Sequence, residues 1–215
     1  MSGFFLVIEG IDGAGTTTQC QRLVTRLKEA GERARFTFEP SRGPIGKRIR
    51  RFLKSGANGK ALDPGALALM FAADRLEHLQ REVAPALGKG EVVVCDRYVL
   101  SSLAYQGSFL PVDWVAQLNA RAPAPDLTVL VEVDVEEATR RRKGRGGHVD
   151  QYEVDDVQRQ VARNYRRFSR RPELGRVVRV DGHGTPEQVE ARIWKAFSSV
   201  RRRMGQASGE LAIRR

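Results

Sequence analysis

A glycine-rich segment near the N-terminus, Gly10 to Thr17, has the spacing of a phosphate-binding loop. Its sequence, G-I-D-G-A-G-T-T, matches G-x-x-x-x-G-K-[S/T] except that Thr16 stands at the lysine position. Glycines let backbone N–H groups converge on phosphate oxygens, and the N-terminus of a following helix adds positive potential. Thr17 stands where the hydroxyl of such a loop holds Mg²⁺. A tight strand-to-helix turn without a ligand is the alternative that this motif alone leaves open.

Acidic, basic and aromatic residues of the kinds that bind nucleotides recur near the ends of later predicted elements. Glu39 follows the second predicted strand, and residues 71–75, F-A-A-D-R, lie on a long predicted helix. Asp96 ends an apolar strand, from which a carboxylate can address Mg²⁺. Phe71 and Arg75 are four residues apart, so they share a helix face and can reach one base. The alternative for this pair is a core phenylalanine and an arginine paired with an acid.

Apolar runs and amphipathic segments alternate along the chain. The predicted strands are Phe4–Glu9, Ala34–Phe38, Glu91–Cys95, Leu127–Val133 and Val177–Val180. The predicted helices are Gln19–Ala30, Ile45–Leu53, Asp63–Leu87 with a kink at Pro85, Val135–Arg142, Val154–Arg171 and Pro186–Arg203, with a glycine-rich loop at Gly144–His148. This alternation predicts an α/β fold, with three α/β/α layers around a five-stranded parallel sheet that binds ligands at the carboxyl ends of its strands.

The length of 215 residues suits one domain. We predict a single domain over residues 1–203, and a flexible tail over 204–215. The N-terminus lacks the features of a signal peptide and no apolar run is long enough to span a bilayer, which predicts a cytoplasmic protein without a membrane partner. Cys20 and Cys95 are isolated and are predicted to be reduced.

The net charge of +11 has two interpretations. A basic surface attracts polyanions such as nucleotides or nucleic acid. Alternatively, the excess of arginine over lysine reflects a compositional bias. Charge alone therefore does not decide between a nucleotide-binding and a nucleic-acid-binding protein, although no nucleic-acid-binding motif is found and nucleic acid is an unlikely partner on that ground.

The order and spacing of the motifs resemble the thymidylate kinase family from Phe4 to about Phe197. The combination of F-A-A-D-R at 71–75 with D-R-Y-x-x-S-x-x-A-Y-Q at 96–106 carries the resemblance. It implies a P-loop NTPase-type fold with a LID loop, at about residues 140–153. It also implies transfer of the γ-phosphoryl group of ATP to dTMP with Mg²⁺ as cofactor, by a homodimer.

The resemblance further implies a dTMP site. In the family, Phe71 would stack on thymine, Arg75 would donate to a pyrimidine oxygen, and Tyr105 would crowd a ribose 2′-hydroxyl. Arg50 and Arg97 would contact the acceptor phosphate, which arginine can grip bidentately. The residues implied for dTMP binding are Glu39, Arg50, Phe71, Arg75, Arg97, Ser101, Tyr105 and Gln106.

On the donor side the resemblance implies a site built from the glycine-rich loop, the LID and the end of the last strand. LID arginines close over ATP and stabilise charge on the transferring phosphoryl group. The residues implied for ATP binding are Gly10, Gly13, Ala14, Gly15, Thr16, Thr17, Thr18, Arg140 and Asp181. The implied metal ligands are Thr17 and Asp96, and the implied catalytic residues are Asp12, Asp96, Arg97, Arg142 and Arg145.

Several positions depart from the family pattern. Thr16 replaces the loop lysine and Gln151 replaces a common LID arginine, so both changes remove positive charge from the donor side. Phe38 replaces an arginine that is common before Glu-Pro, and Arg42 lies where a glycine pair is usual. These departures keep open a non-catalytic nucleotide-binding regulator and a kinase for another deoxynucleotide. Cations that could compensate are Arg42, Arg140, Arg142, Lys143 and Arg145.

Overall fold

The structure is a computed structural model that describes residues 3–56, 62–145 and 155–213, with side chains to residue 54, from 62 to 144 and from 155 to 204. Its strands are β1 (Phe4–Glu9), β2 (Ala34–Phe38), β3 (Val92–Asp96), β4 (Leu127–Glu132) and β5 (Val177–Asp181). All pairings in this sheet are parallel, and the strand order is β2-β3-β1-β4-β5. The predicted five-stranded parallel sheet is confirmed.

Strand β1 lies at the centre of the sheet and is buried along its whole length. Helices cover both faces of a parallel sheet, which explains why this strand is an unbroken apolar run. Its register pairs Ile8 with both Asp96 of β3 and Val129 of β4. The carboxyl ends of β1 and β3 therefore meet at one edge, where Glu9 and Asp96 are brought side by side.

Helices follow the strands in the alternation that the sequence predicted. They are α1 (Thr16–Glu29), α2 (Pro44–Gly56), α3 (Pro64–His78), α4 (Ala84–Gly88), α5 (Val99–Tyr105), α6 (Val112–Leu118), α7 (Val135–Arg145), α8 (Asp155–Phe168) and α9 (Pro186–Ile213). Helices α5 and α6 are not among the predicted elements. Helix α1 starts three residues before the predicted Gln19, because the threonines after Gly15 already form its first turn.

Several predicted helix bounds differ from the structure. The long helix expected over Asp63–Leu87 is divided, since a π-helical segment, Leu79–Val83, separates α3 from α4. Proline at position 85 clashes with the carbonyl four residues earlier in an α-helix, and the wider π turn relieves that clash. Helix α7 continues through Gly144, which we had predicted to begin a loop, and α9 continues to Ile213. The flexibility of residues 204–215 stays a prediction.

Alternate residues of β1 contribute to hydrophobic clusters on opposite faces of the sheet. Phe4, Leu6 and Ile8 belong to the larger cluster, and Phe5 and Val7 belong to the smaller one. This alternation follows from the two-residue period of a strand. Cys20 lies in the larger cluster and Cys95 in the smaller one, and both are free and buried.

Helix α9 is fixed to the sheet by aromatic packing. The ring of Phe197 meets the ring of Phe4 edge to face, with centroids 5.3 Å apart and planes at 88°. Trp194, one turn earlier, packs against Phe197 at a centroid distance of 5.7 Å. This contact closes the larger hydrophobic cluster.

Replacing Phe197 by alanine is expected to lower the free energy of unfolding by about 3–5 kcal/mol, because it leaves a cavity beneath α9. Urea denaturation monitored by circular dichroism measures this loss. Lys195→Ala, an exposed position on the same helix, is the matched control and should change the free energy by less than about 0.5 kcal/mol. Equal effects of the two substitutions would contradict the assigned role of Phe197.

Candidate nucleotide site

The glycine-rich loop joins β1 to α1 and has the backbone geometry of an anion cradle. Gly13 and Gly15 have positive φ angles of 95° and 89°, which residues with a side chain rarely adopt. A Cβ at Gly13 would lie 2.3 Å from the carbonyl oxygen of Ala138, so α7 approaches the loop closely. The first turn of α1 contains no acidic residue. Its free N–H groups and positive end thus suit phosphate.

Thr17 and Asp96 meet at the carboxyl edge of the sheet. The hydroxyl of Thr17 donates a hydrogen bond to Oδ2 of Asp96. The other carboxylate oxygen, Oδ1, is buried and has no hydrogen-bond partner among the described residues. Buried carboxylate oxygens are normally satisfied, so this atom indicates a partner such as a cation or its water. No group of three or more His, Cys, Asp and Glu side chains suited to a metal occurs in the described part of the chain.

Asp12 is contacted through its backbone and through its carboxylate by four other segments. Its N–H donates to Oε1 of Gln158 at 3.1 Å, while Nε2 of Gln158 donates to its Oδ2 at 2.8 Å. Tyr105 donates its hydroxyl to Oδ2 at 2.9 Å, and Arg97 donates Nη2 to Oδ1 at 2.6 Å. The carbonyl of Asp12 accepts from Nη1 of Arg142 at 2.6 Å. One loop residue therefore joins α5, α7, α8 and the end of β3.

Arg97 follows β3 directly and has a left-handed φ of 70°. A non-glycine residue in this region is uncommon, and such outliers cluster at functional sites. The Nη1 group donates to the carbonyl of Gly10 at 2.9 Å and to the hydroxyl of Tyr165 at 3.1 Å. Burial opposes the charged form of Arg97, but the nearby Asp12 and Asp96 raise its pKa, so the guanidinium stays charged.

Glu9 is a buried acid at the end of β1. The sequence predicts it only as the last residue of a strand. Its Oε1 accepts from the backbone N–H groups of Tyr98 and Ser101, at 2.8 and 3.1 Å. Its Oε2 accepts from the hydroxyls of Ser101 and Tyr165, at 2.5 and 3.1 Å. Burial raises the pKa of Glu9, and its hydrogen bonds to Ser101 oppose that rise. This carboxylate fixes the turn that carries Arg97.

A cavity of about 250 Å³ opens beside Asp12 at the carboxyl edge of the sheet. All eight residues that the resemblance assigns to dTMP line it. They are Glu39, Arg50, Phe71, Arg75, Arg97, Ser101, Tyr105 and Gln106. The cavity thus collects residues from β2, α2, α3 and α5, which are far apart in the sequence, together with Asp12 of the loop. Their roles toward a ligand stay predictions.

Arg75 is buried in the wall of this cavity and paired with an acid. Its Nε donates to Oε2 of Glu39 at 2.8 Å, and Nη2 donates to the carbonyl of Tyr98 and the hydroxyl of Ser102, both at 3.1 Å. Nη1 donates to the amide oxygen of Asn119. Arg75 therefore pairs with an acid and also lines the cavity, so both alternatives that the sequence leaves open for this arginine apply to it. These hydrogen bonds and the ion pair offset part of the unfavourable free energy of burying a guanidinium.

Arg140 and Asp181, the two predicted ATP-binding residues outside the loop and α1, are both exposed. Arg142 reaches the loop, whereas Arg140 points to Glu137 at 2.5 Å and its side chain is 77% exposed. Asp181 ends β5 and accepts a hydrogen bond from the backbone N–H of His183 at 3.0 Å. The structure therefore does not bring Arg140 into contact with the loop.

Part of the predicted LID lies outside the described residues. This applies to the side chain of Arg145, to Gln151 and to the rest of the segment from 146 to 154. The described part of the LID is the end of α7, up to Arg145.

Our sequence interpretation missed several residues of the site. Gln158 and Tyr165 lie on α8, and they contact Asp12 of the loop and Glu9 at the end of β1, respectively. Asn119 follows α6, which was itself not predicted. One sequence signal could have identified Gln158 as a site residue, namely a polar residue on the apolar face of an amphipathic helix. Gln158 is fully buried in the structure.

The architecture defines the class of protein. A central strand ends in a glycine-rich loop with phosphate-binding geometry, an acid ends the neighbouring strand, and a cavity with charged and aromatic side chains in its wall lies beside the loop. This combination is that of a P-loop nucleotide kinase. Within the described ranges, no helix has both the length and the apolarity needed to cross a bilayer.

Comparisons with known proteins identify the family. The model of the family described as thymidylate kinase matches residues 8–193. A probable thymidylate kinase of Pyrococcus horikoshii is 44% identical over 168 residues, which cover 77% of this chain and 82% of that protein. A thymidylate kinase of Thermomicrobium roseum is 38% identical over 208 residues, covering 93% and 97% of the two chains. The chain belongs to the thymidylate kinase family.

A solved structure supports the same assignment. The structure of thymidylate kinase from Candida albicans superposes with a TM-score of 0.79 and covers 92% of both chains, at 27% sequence identity. The predicted P-loop NTPase-type fold is thereby confirmed.

Replacing Gln158 by leucine is expected to lower kcat/KM for phosphoryl transfer by about 10- to 100-fold. It removes the two hydrogen bonds that Gln158 makes with Asp12, and the one to the carboxylate, a hydrogen bond to a charged group, contributes roughly 1.5–3 kcal/mol. Steady-state kinetics at saturating donor measure this effect. Gln160→Leu, on the same helix, is the matched control.

Gln158→Glu adds a sharper test of the contact to Asp12. Glutamate keeps the acceptor for the backbone N–H but places a second negative charge beside the carboxylate. Because Gln158 is fully buried, the free energy of unfolding is measured beside kcat/KM, and the positioning role predicts a loss of activity in protein that remains folded. Activity of Gln158→Glu close to that of the unchanged protein would contradict the positioning role.

Proposed function

We propose that this protein is a dTMP kinase, which transfers the γ-phosphoryl group of ATP to dTMP and gives dTDP and ADP. The observation that carries the proposal is the 250 Å³ cavity, because the residues expected for dTMP line it beside the phosphate-binding loop. Membership of the thymidylate kinase family supports the same reaction. Catalysis consists of positioning and charge stabilisation, without a covalent protein intermediate.

The acceptor side is proposed to hold dTMP between base and phosphate contacts. Phe71 stacks on thymine and Arg75, held by Glu39, offers its guanidinium to a pyrimidine oxygen. Arg50 of α2, the helix after β2, and Arg97, which follows β3, both contact the acceptor phosphate. Tyr105 is held against Asp12 by its hydroxyl, so its ring is fixed where it would crowd a ribose 2′-hydroxyl. This arrangement favours deoxynucleotides.

The donor side is proposed to hold ATP on the loop at Gly13, Gly15 and Thr17, with Mg²⁺ at Thr17 and Asp96. The unpartnered Oδ1 of Asp96 fits a metal water, and one or two protein ligands suffice because substrate phosphates complete the coordination of Mg²⁺. When bound, the metal would neutralise charge on the phosphates. Asp96 and Thr17 orient it, and the loop N–H groups orient the donor.

A non-catalytic regulator with the same fold remains the competing function, since Thr16 removes the loop lysine. No observation of the site favours it, because the acceptor cavity, Asp12, Arg97 and Asp96 all retain the residue types that transfer requires.

ADP production by the purified protein with Mg²⁺ and ATP tests the two functions directly. We expect turnover with dTMP that exceeds turnover with dUMP, dCMP, dGMP and the ribose analogue of dTMP. Binding of dTMP by calorimetry without any ADP formation would support the regulator instead. Equal turnover of all acceptors would contradict the assignment of dTMP.

Replacing Phe71 by alanine is expected to raise the dissociation constant for dTMP by about 5- to 150-fold, since stacking of a base on an aromatic ring contributes roughly 1–3 kcal/mol. Isothermal titration calorimetry measures the constant without any need for turnover. Phe109→Ala removes an exposed ring that does not line the cavity and serves as the control. An unchanged constant for Phe71→Ala would remove Phe71 from the base site.

We further propose that the protein is a homodimer that pairs through α3. This helix buries Leu67, Ala68 and Ala72 against its own core, yet its opposite face exposes Leu69 and Leu76, which are 51% and 37% accessible. Ala73 lies between them on the same exposed face. An exposed apolar stripe of this kind marks an interaction surface, and a second copy supplies the cover.

The double substitution Leu69→Glu and Leu76→Glu is expected to yield a monomer, because it places four charges across a two-fold interface. Sedimentation velocity gives the mass in solution. Phe109→Glu adds charge at another exposed apolar residue and should leave the mass of a dimer unchanged. A monomeric unsubstituted protein would contradict the proposed dimer.

A further inference from the structure

Arg75 has one N–H left for a ligand once its contacts with the described residues are counted. A guanidinium carries one N–H on Nε and two on each Nη. Nε donates to Glu39, and the two hydrogens of Nη2 have two acceptors, the carbonyl of Tyr98 and the hydroxyl of Ser102. Nη1 has one acceptor, the amide oxygen of Asn119. The remaining donor is therefore the second N–H of Nη1, on a side chain that lines the cavity.

The amide of Asn119 is oriented so that its oxygen faces Arg75. Its Nδ2 donates to the carbonyl of Val115, one turn earlier in α6, at 2.8 Å. Turning the amide over would place its NH2 group against the guanidinium and its oxygen against that carbonyl, and both contacts would be unfavourable. Asn119 is only 6% exposed, so little water competes for these hydrogen bonds. The end of α6 thus fixes the acceptor for Nη1.

Asn119 is placed behind Arg75 and outside the wall of the 250 Å³ cavity. It lines a second cavity of about 70 Å³, together with residues of α5, α6 and the segment before β4. Tyr98 is in the wall of both cavities, and its ring centroid lies 5.2 Å from Cζ of Arg75. Asn119 therefore reaches a ligand of the larger cavity only through the guanidinium of Arg75.

A single donor that is held in place discriminates between pyrimidines. Thymine and cytosine both have a carbonyl at C2, so a donor favours thymine only at C4, where thymine has a carbonyl oxygen and cytosine has an amino group. A fixed N–H would meet that amino group donor against donor, and a site built around a hydrogen bond rejects an analogue that cannot make it. A guanidinium that is free to shift would avoid the contact. Selectivity therefore depends on the groups that hold Nη1.

We propose that Asn119 is a positioning residue that determines acceptor specificity. Its amide oxygen holds Nη1 of Arg75 so that the remaining N–H meets a carbonyl oxygen, and not an amino group, at C4 of the base. This role rests on the proposed kinase function, since it concerns the choice of the phosphoryl acceptor. Asn119 acts through Arg75 and does not touch the substrate.

The test compares dTMP with 5-methyl-dCMP, which differ only in the C4 group and in the proton on N3. ADP formation with each acceptor gives two values of kcat/KM, and their ratio is the readout. Asn119→Leu has a comparable volume but no acceptor, and we expect it to lower the ratio by at least about tenfold. Asn119→Asp keeps an oxygen acceptor for Arg75, and we expect it to retain the ratio within about threefold.

Val115→Ala is the matched control on the same helix. Val115 is buried in the larger hydrophobic cluster, so its truncation destabilises α6 without removing an acceptor of Arg75. We expect the free energy of unfolding to fall while the ratio stays within about twofold of that of the unsubstituted protein. A merely structural role of Asn119 would give the same pattern, with the two acceptors affected alike.

An Asn119→Leu protein that uses both acceptors at an unchanged ratio would overturn the proposed role. So would an Asn119→Asp protein that loses selectivity as fully as Asn119→Leu. If Asn119→Leu does not fold, Asn119→Ser decides, because its hydroxyl is too short to reach Nη1 and must lower the ratio in the same way.

Failure of the kinase function would show differently, as an unsubstituted protein that forms no ADP. The dissociation constants of dTMP and 5-methyl-dCMP, measured by calorimetry, then provide the ratio that decides the role of Asn119. An unsubstituted protein that does not prefer dTMP by either measurement would overturn this role together with the assignment of dTMP.

Discussion

The contacts of Asp12 are the constraint on which both halves of the site depend. A loop with left-handed glycines at 13 and 15 has little conformational preference of its own, so its shape must be imposed by contacts. Gln158 holds the N–H and one carboxylate oxygen of Asp12, and Arg142 holds its carbonyl. Arg97 holds the other carboxylate oxygen. Asp12, which precedes the two left-handed glycines, is thereby held by α7, by α8 and by the residue after β3.

The acceptor cavity shows how a small protein keeps charges in a partly buried site. Arg75 is paired with Glu39, and Arg97 is paired with Asp12, so each guanidinium has an internal carboxylate. An unpaired charge in such surroundings would be strongly unfavourable. Pairing offsets the desolvation free energy of each guanidinium and leaves the group charged. The same pairs fix where the remaining N–H donors point.

The donor side has a different distribution of charge. The loop itself carries no lysine. Two described arginines contact it, Arg97, which follows β3, and Arg142 of α7, the helix that follows β4. Asp155 of α8 also contacts Arg142, so the two helices that flank residues 146–154 meet at one guanidinium.

The sequence by itself determined the sheet, the loop and the residue types of the acceptor site. Periodicity sufficed for the strands because a buried parallel strand is a continuous apolar run, and β1 and β2 have the bounds that were predicted. The glycine spacing predicted the loop, since residues with a side chain rarely adopt the φ angles of Gly13 and Gly15. The resemblance to a family supplied the acceptor residues, and the cavity contains them all.

Only the tertiary structure decided which residues support the site and which cation reaches the loop. Gln158 lies 146 residues from Asp12, and Arg142 lies 130 residues from it, so no local pattern could connect them. The five cations that we had considered as substitutes for the loop lysine were equivalent in sequence. Side-chain direction separates two of them, because Arg140 and Arg142 are two residues apart on one helix and therefore point about 200° apart around its axis. One meets Glu137 at the surface, and the other meets the loop.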